Sequence, residues 1–299
     1  MAAPPRTHID AFLRLHAPDR DLGQHFLTDT RVLQRALELA GDLSGTRVLE
    51  VGPGPGVLTE RLLEAGATVL AVEQDDRAID HLERTFDAWI QRGLLTLEHG
   101  DILRTTIEDV DAVVANIPYQ ISSPLLEWIE GHRARQGGFD TLVLLVQEEF
   151  ALRMLGRHPM DRGPLSLNIA LQWDLELDMK VGSGSFLPAP RVRSRLVHLR
   201  AHDRPTRVSA AFLRGLVRQA FAHRRRKLGT TLRTRPTGLE DAGLRSVDWS
   251  DVIRRWRSEH VELADRRPED LDLNGWEQVA LSIHAVAGIE PSHPTKPSQ

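Results

Sequence analysis

The chain has 299 residues, a net charge of −4 and no cysteine, which excludes disulfides, thiolate metal sites and cysteine nucleophiles. No apolar run approaches the ~18 residues of a membrane span, the first residues lack the apolar stretch of a secretory signal, and the 13 histidines show no ligand spacing such as HExxH. A cytoplasmic protein without a bound metal or a membrane partner is the simplest expectation.

In chain order, residues 1–30 read as polar and irregular, ending in Leu22-Gly23-Gln24-His25-Phe26-Leu27-Thr28-Asp29. Asp29 or Thr30 can cap a helix over Val32–Ala40, whose apolar residues recur at helical spacing. Strands are then expected at Arg47–Val51, Thr68–Glu73, Leu94–His99, Asp111–Asn116 and Thr141–Gln147. Helices fall between them at Val57–Ala65, Arg77–Ile90 and Ile121–Ile129. Such alternation implies βαβ units and a mainly parallel, doubly wound, Rossmann-like α/β sheet. After the apolar Leu165–Leu171, the segments Leu175–Val181 and Arg193–Leu199 alternate apolar and polar residues, as an antiparallel pair closing one sheet edge would. From about residue 205 the chain reads as short helices. A boundary near Ala201–Pro205 divides it into an α/β domain over 1–204 and a small helical domain over 205–288. The Pro- and Ser-rich tail, 289–299, is expected to be disordered.

Glu50-Val51-Gly52-Pro53-Gly54-Pro55-Gly56 directly follows a strand and precedes a helix. Glycines there let the backbone turn tightly and approach a ligand. Glu73 lies 21 residues after Gly52, at the end of the next strand, where a carboxylate can accept hydrogen bonds from ribose hydroxyls. The spacing Gly-x-Gly-x-Gly departs from the dinucleotide fingerprint, and an acid at Glu50 suits an ammonium better than a pyrophosphate. Both features favour S-adenosylmethionine over NAD. Asp101, after the third strand, is placed to accept from an adenine amine, with Ile102 packing on the ring.

Asn116-Ile117-Pro118-Tyr119 ends the next strand and holds the chain's single tyrosine. An amide oxygen and a backbone carbonyl can accept hydrogen bonds from an exocyclic amine, and the ring can stack on a flat base. This points to the amino group of a nucleobase, with the Asn116 side chain and the Pro118 carbonyl as acceptors and Tyr119 as the stacking ring.

Charge is divided unevenly. Residues 1–200 carry 21 Lys+Arg against 29 Asp+Glu, whereas residues 201–299 carry 17 against 13. Between 204 and 235 there are ten basic residues and no acidic one, including Arg224-Arg225-Arg226-Lys227. Such a block suggests a polyanion partner; a solvated helix face is the alternative.

Taken together, these segments resemble the KsgA/RsmA family of small-subunit ribosomal RNA adenine dimethyltransferases over roughly residues 20–285. The resemblance is carried by Gly23-Gln24-His25-Phe26-Leu27, the glycine motif, Glu73, Gly100-Asp101, and Asn116 through Pro124. It continues through Gly163-Pro164-Leu165-Ser166, Phe186-x-Pro188-x-Pro190-x-Val192-x-Ser194, Ala220-Phe221-x-x-Arg224-Arg225 and Arg267-Pro268-Glu269-Asp270-Leu271. It implies a class I S-adenosylmethionine-dependent methyltransferase sheet and a cofactor site lined by His25, Leu27, Gly52, Gly54, Glu73, Asp101, Ile102 and Asn116. The target adenine is held by Asn116, Pro118 and Tyr119. RNA is contacted through Arg224, Arg225, Arg226 and Lys227. The implied substrate is two adjacent adenosines in a hairpin loop near the 3′ end of the small-subunit RNA, each dimethylated on N6 by a monomeric enzyme during ribosome biogenesis.

The chain departs from the family pattern at Arg162, where many members have tyrosine, and at Arg226 and Thr230, where lysine and asparagine are common. His25, asparagine in many bacterial members, and the run Gln120–Pro124 are closer to archaeal and eukaryotic members. The nearest rival resemblance is the Erm-type large-subunit enzymes, which share the glycine motif and Asn-Ile-Pro-Tyr; Ser122-Ser123-Pro124 and Arg267–Leu271 favour the small-subunit family. A DNA adenine methyltransferase, with its acidic Asp-Pro-Pro-Tyr, fits less well. A ribosome-assembly or transcription factor that keeps the fold without catalysis is a third reading.

Overall fold

The computed structural model describes residues 3–19 and 22–291. The tail expected to be disordered therefore lies, from residue 292 onward, outside the described residues. The chain forms two compact units, one of residues up to Ala151 plus Leu175–Ala201, the other of Leu152–Asp174 plus the chain from His202.

The first unit begins with α1 (Pro5–Leu13), β1 (Phe26–Leu27) and α2 (Thr30–Ala40). It continues through β2 (Arg47–Val51), α3 (Val57–Glu64), β3 (Thr68–Glu73), α4 (Asp76–Thr85), α5 (Asp87–Gln91), β4 (Leu95–His99) and β5 (Ala112–Asn116). Next come α6 (Ser122–Gln136), β6 (Thr141–Gln147) and α7 (Glu148–Leu155), which leads the chain out of the unit. The chain re-enters for β7 (Trp173–Val181), β8 (Phe186–Leu187) and β9 (Ser194–Ala201).

Seven strands form one sheet in the order β4-β3-β2-β5-β6-β9-β7. Strands β2 to β6 run parallel, and β9 lies antiparallel against β6. The two segments expected at one edge of the sheet, β7 and β9, are neighbours there. The central strands are near-continuous apolar runs because helices cover both faces; Val48, Leu49, Val69, Val113 and Leu144 are all buried. Strand order reverses direction between β2 and β5, the switch point where open α/β sheets bind ligands.

The structure differs from two local expectations and adds one element that the sequence does not mark. Residues 1–30 are not all irregular, since Pro5–Leu13 is helical. Pro5 sits at its start, where a missing N–H costs nothing, and His8, Ile9 and Phe12 form the buried face. The single helix expected over Arg77–Ile90 breaks at Phe86, whose backbone leaves helical geometry (φ −113°, ψ 18°). This puts its ring in the core against the glycine loop, where a Cβ on Gly56 would sit 2.4 Å from the ring. Finally, β1 and β8 pair as a separate two-stranded ribbon, Phe26 opposite Leu187. Two-residue strands are too short to show a period, so nothing in the sequence pattern marks them.

The second unit is all-helical: α8 (Pro164–Gln172), α9 (Ala210–Phe221), α10 (Leu228–Thr231), α11 (Trp249–Glu259), α12 (Val261–Ala264) and α13 (Leu273–Ala287), with no strand among the described residues after 202. Its core contains Leu167, Leu171, Phe212, Leu216, Trp249, Trp256, Trp276 and Ile283. Two of the buried indoles find partners: Trp249 Nε1 donates to the Leu232 carbonyl and Trp256 Nε1 to Ser282 Oγ. Leu167 and Leu171 belong to this core, so residues 152–174 fall with the helical unit rather than inside a continuous 1–204 domain. An apolar helix declares that it is buried, not which core it joins.

Candidate active site

The parallel strands deliver their C-terminal ends to one cleft of about 410 Å³, within the range of small-molecule sites. Its walls include every residue expected to bind cofactor or target base: His25, Leu27, Gly52, Gly54, Glu73, Asp101, Ile102, Asn116, Pro118 and Tyr119. The four basic residues of 224–227 lie in the other unit.

Between β2 and α3 the glycine loop takes left-handed backbone angles, φ +67° at Gly52 and +56° at Gly54, which side chains on Cβ disfavour. Space is short as well. A Cβ on Gly54 would lie 3.1 Å from the Phe26 ring, and one on Gly52 would touch the Pro118 ring at 3.4 Å. The loop therefore runs directly beside the Asn116–Tyr119 turn.

Glu73 does more than await a ligand. Its Oε2 accepts the Gly54 N–H at 3.0 Å, and its Oε1 accepts the Gln74 and Asp75 N–H groups at 2.8 and 2.9 Å. Burial raises its pKa, and these three donors oppose that rise. A carboxylate offers about four acceptor positions, so one remains for a ribose hydroxyl; gripping both hydroxyls requires one backbone bond to be shared. Asp101 is similarly committed on one side, since its Oδ1 accepts the Leu103 N–H at 3.0 Å and caps a short 3₁₀ turn.

Glu50 is almost wholly buried, and its Oε2 has no hydrogen-bond partner among the described residues. Burial pushes its pKa up to about 8; the Thr59 hydroxyl relieves part of the rise and the Glu73 carboxylate adds to it. An orphaned buried carboxyl in a ligand cleft is a site waiting for a cation or a donor. Together with a loop that only glycine can form, it fits S-adenosylmethionine, whose ammonium supplies the missing charge. The stability consequence has a definite sign. Between the ordinary value of 4.5 and about 8, the unfolded chain has released this proton while the fold retains it, so stability falls as pH rises through that window. Glu50→Gln is expected to raise the melting temperature of the ligand-free protein at pH 8 by more than ~3 °C, with little change at pH 4.5, and to weaken S-adenosylmethionine binding. Scanning fluorimetry across pH tests this; an equal shift at both pH values refutes it.

The Asn116 amide is pinned. Its Nδ2 donates to the His25 carbonyl at 2.9 Å. A carbonyl only accepts, so the amide orientation is fixed and Oδ1 has no hydrogen-bond partner among the described residues. Pro118 O accepts the Ile121 N–H at 3.1 Å, which uses one of its two lone pairs. The buried Ile117, in the same wall, has a carbonyl with no hydrogen bond among the described residues. Tyr119 rests its ring near the His25 imidazole, centroids 5.9 Å apart and planes 28° apart, and its hydroxyl lies 2.6 Å from Ser194 Oγ. Burial raises the phenol pKa, and Ser194 opposes the rise. His25 is thus more than a cofactor-wall residue: its carbonyl holds Asn116, its ring borders Tyr119, and its Nδ1 meets the Pro188 carbonyl at 2.8 Å. Leu27 pairs with Phe186 in the β1–β8 ribbon, which explains how a segment distant in sequence comes to close the cleft.

The basic block divides into different kinds of residue. Arg224 binds Glu269 at 2.5 Å and donates to the carbonyls of Pro159 and Met160. Lys227 faces Asp265 at 3.0 Å. Arg225 and Arg226 are exposed and make no ion pair among the described residues. Arg162, the departure from the family pattern, donates to the carbonyls of Gly156, Glu269 and Asp270. It joins the same scaffold as Arg224 and ties the 156–163 segment to the Arg267–Leu271 motif. No cluster of three or more potential metal ligands occurs among the described residues.

The family model for ribosomal RNA adenine dimethylase matches residues 16–257. A probable ribosomal RNA small subunit methyltransferase A from Methanospirillum hungatei is 36% identical over 269 residues, covering 87% of this chain and 97% of that protein. Among solved structures, a dimethyladenosine transferase from Plasmodium falciparum superposes with a TM-score of 0.70 at 26% identity, covering 89% of this chain and 99% of that one. The 23S rRNA methyltransferase ErmE superposes at 0.58 with 24% identity, over 86% and 98% of the two chains, which is a likeness of fold. On the match over most of its length, the chain belongs to the ribosomal RNA adenine dimethylase family and uses S-adenosylmethionine as methyl donor.

Proposed function

We propose that the protein dimethylates N6 of two adjacent adenosines in a hairpin loop near the 3′ end of small-subunit ribosomal RNA, acting as a monomer on a subunit precursor. The observation that carries the chemistry is the pinned Asn116 amide. Asn116 lines the same cleft as the glycine loop, where an acceptor for the target amine and the methyl donor have to meet.

An adenine amine is a weak nucleophile because its lone pair is delocalised into the ring. Two acceptors on its hydrogens favour a more tetrahedral nitrogen, and Asn116 Oδ1 is the first. For the second, the Pro118 carbonyl expected from sequence keeps one lone pair. The Ile117 carbonyl is the stronger candidate, because it is buried and unpaired, and such a group costs free energy until something donates to it. S-adenosylmethionine, when bound, supplies an activated methyl on a sulfonium whose charge is lost on transfer. Glu73 and Asp101 are placed to hold its adenosine end and Glu50 its ammonium. The residues contribute orientation and fixed dipoles, and no strong base is needed. Tyr119 stacks the base once it leaves the RNA stack, a contact worth roughly 1–3 kcal/mol.

The small-subunit reading rests on the named relative at 36% identity, whereas the large-subunit enzyme offers fold alone at 24%. For RNA binding, the exposed Arg225 and Arg226 are the stronger candidates within the block. Charge reversal at both is expected to weaken RNA binding and to reduce the slope of log affinity against log salt by about 1–2, with melting temperature unchanged. Arg224→Glu is expected to lower the melting temperature instead, because it sets two carboxylates against each other at Glu269. Filter binding across salt, paired with thermal unfolding, separates the two. An unaltered slope in the double variant refutes the assignment.

A further inference from the structure

We propose that Ser194 is a positioning residue for methyl transfer, which sets the plane of Tyr119 on which the target base stacks. The inference rests on Tyr119 being the base-stacking ring and extends that reading to a residue outside the cleft wall. Ser194 opens β9 and is fully buried. Its backbone register is fixed opposite Gln147 at the end of β6, and β6 is the parallel neighbour of β5, which ends in Asn116. The Ser194 hydroxyl is therefore anchored in the same rigid sheet that presents the acceptor amide, and it meets the Tyr119 hydroxyl at 2.6 Å.

Two constraints are needed to fix an aromatic plane. A tether at the para oxygen fixes the ring's long axis, and a neighbour against its face fixes rotation about that axis. Ser194 supplies the first and the His25 imidazole, with planes 28° apart, supplies the second. A buried phenol needs a partner in any case; here the partner is a side chain anchored in the same sheet that presents Asn116, so the bond also fixes the ring relative to the acceptor amide. The tether acts on the angle at which N6 reaches Asn116 Oδ1, and a misplacement on the order of 1 Å in such a site costs on the order of 100-fold in rate. Losing one of two constraints is expected to cost less.

Because the chain contains a single tyrosine, tyrosine spectroscopy reads this ring and nothing else. The test uses the full chain with its ring-labelled tyrosine, undermethylated small subunits and S-adenosylmethionine. Ser194→Ala is expected to lower kcat about 10-fold, with KM for the subunit and affinity for S-adenosylmethionine changed less than about 2-fold. Tyr119→Phe, which removes the other end of the tether, is expected to cost the same. The double variant is expected to be no worse than either single one, as for two ends of one contact. The phenol titration followed by carbon NMR is expected to move up in Ser194→Ala, because the contact that opposes the burial-driven rise is gone. Ser194→Cys keeps the shape but bonds poorly; it is expected to lose the same activity with its fold intact and serves if the alanine variant does not fold. Additive losses in the double variant, an unmoved titration, or a parallel fall in cofactor affinity would each overturn the role of Ser194. Undiminished turnover in Tyr119→Ala would instead overturn the stacking reading itself.

Discussion

Replacing Asn116 by alanine is expected to lower methyl transfer by about 10²–10³-fold, the loss seen when one pre-oriented polar partner is removed from a transition state. The side chain offers one free oxygen; the carboxylates of the cleft, Glu50, Glu73 and Asp101, are assigned to the cofactor, and the acceptors next to it in the turn are main-chain carbonyls, which a substitution leaves in place. Subunit binding should persist, because affinity for RNA is carried largely by phosphate contacts. Asn116→Asp is the sharper variant. It keeps an acceptor but loses the N–H that binds the His25 carbonyl at 2.9 Å, and sets a carboxylate against that carbonyl instead. The aspartate is expected to be nearly as inactive as the alanine, which would show that orientation of the oxygen, and not its mere presence, is what the site requires. Single-turnover transfer from labelled S-adenosylmethionine, beside an equilibrium binding assay, distinguishes these outcomes. An active aspartate variant would refute the orienting role of His25.

The second large effect is expected at Glu73. Truncation to alanine removes an acceptor from three backbone N–H groups, those of Gly54, Gln74 and Asp75. The Gly54 and Asp75 bonds are buried, and each such donor left unpaired costs about 1–3 kcal/mol, so destabilisation of a few kcal/mol is expected, along with release of the glycine loop from its register. Loss of S-adenosylmethionine affinity by at least 100-fold should follow, from the missing ribose contact and the disordered loop together. Glu73→Gln separates the two causes. It keeps one accepting oxygen and the side-chain volume, so much of the fold stability should survive. Its amide nitrogen points a donor at a donor, and cofactor affinity is expected to fall about 10-fold or more. Calorimetric titration with S-adenosylmethionine, read beside thermal unfolding, checks both variants. Full cofactor affinity in Glu73→Gln would place the ribose elsewhere.

Most of the sheet is legible in the sequence because parallel strands buried on both faces have no polar alternation to obscure them; Leu142–Val146 and Val113–Ala115 are near-continuous apolar runs. Glycines at 52, 54 and 56 and the carboxylate at 73 are legible for a related reason, since tight turns and strand ends leave few residue types that fit. What escaped is what depends on partners far along the chain. Helix α1 was hidden because one of the few positions of its buried face is a histidine, His8, and the kink at Phe86 by an apolar pattern that continues through Trp89 and Ile90. The core joined by Leu167 and Leu171 could not be read from their own helix. At the site, Asn116 and Tyr119 were legible as residues but not as constrained groups, because His25 and Ser194, which hold them, lie 91 and 75 positions away. Arg224 shows the same limit in reverse. Four adjacent cations look equivalent in sequence, yet one of them is spent on Glu269 and two carbonyls, and its charge serves the fold.

The measurement that bears most directly on the account is to incubate the protein with labelled S-adenosylmethionine and undermethylated small or large ribosomal subunits, and to map the labelled base. The account predicts N6,N6-dimethyladenosine at two adjacent positions in a hairpin loop near the 3′ end of the small-subunit RNA, absent with Asn116→Ala. Label confined to large-subunit RNA, or cofactor binding with no transfer to either subunit, would contradict it.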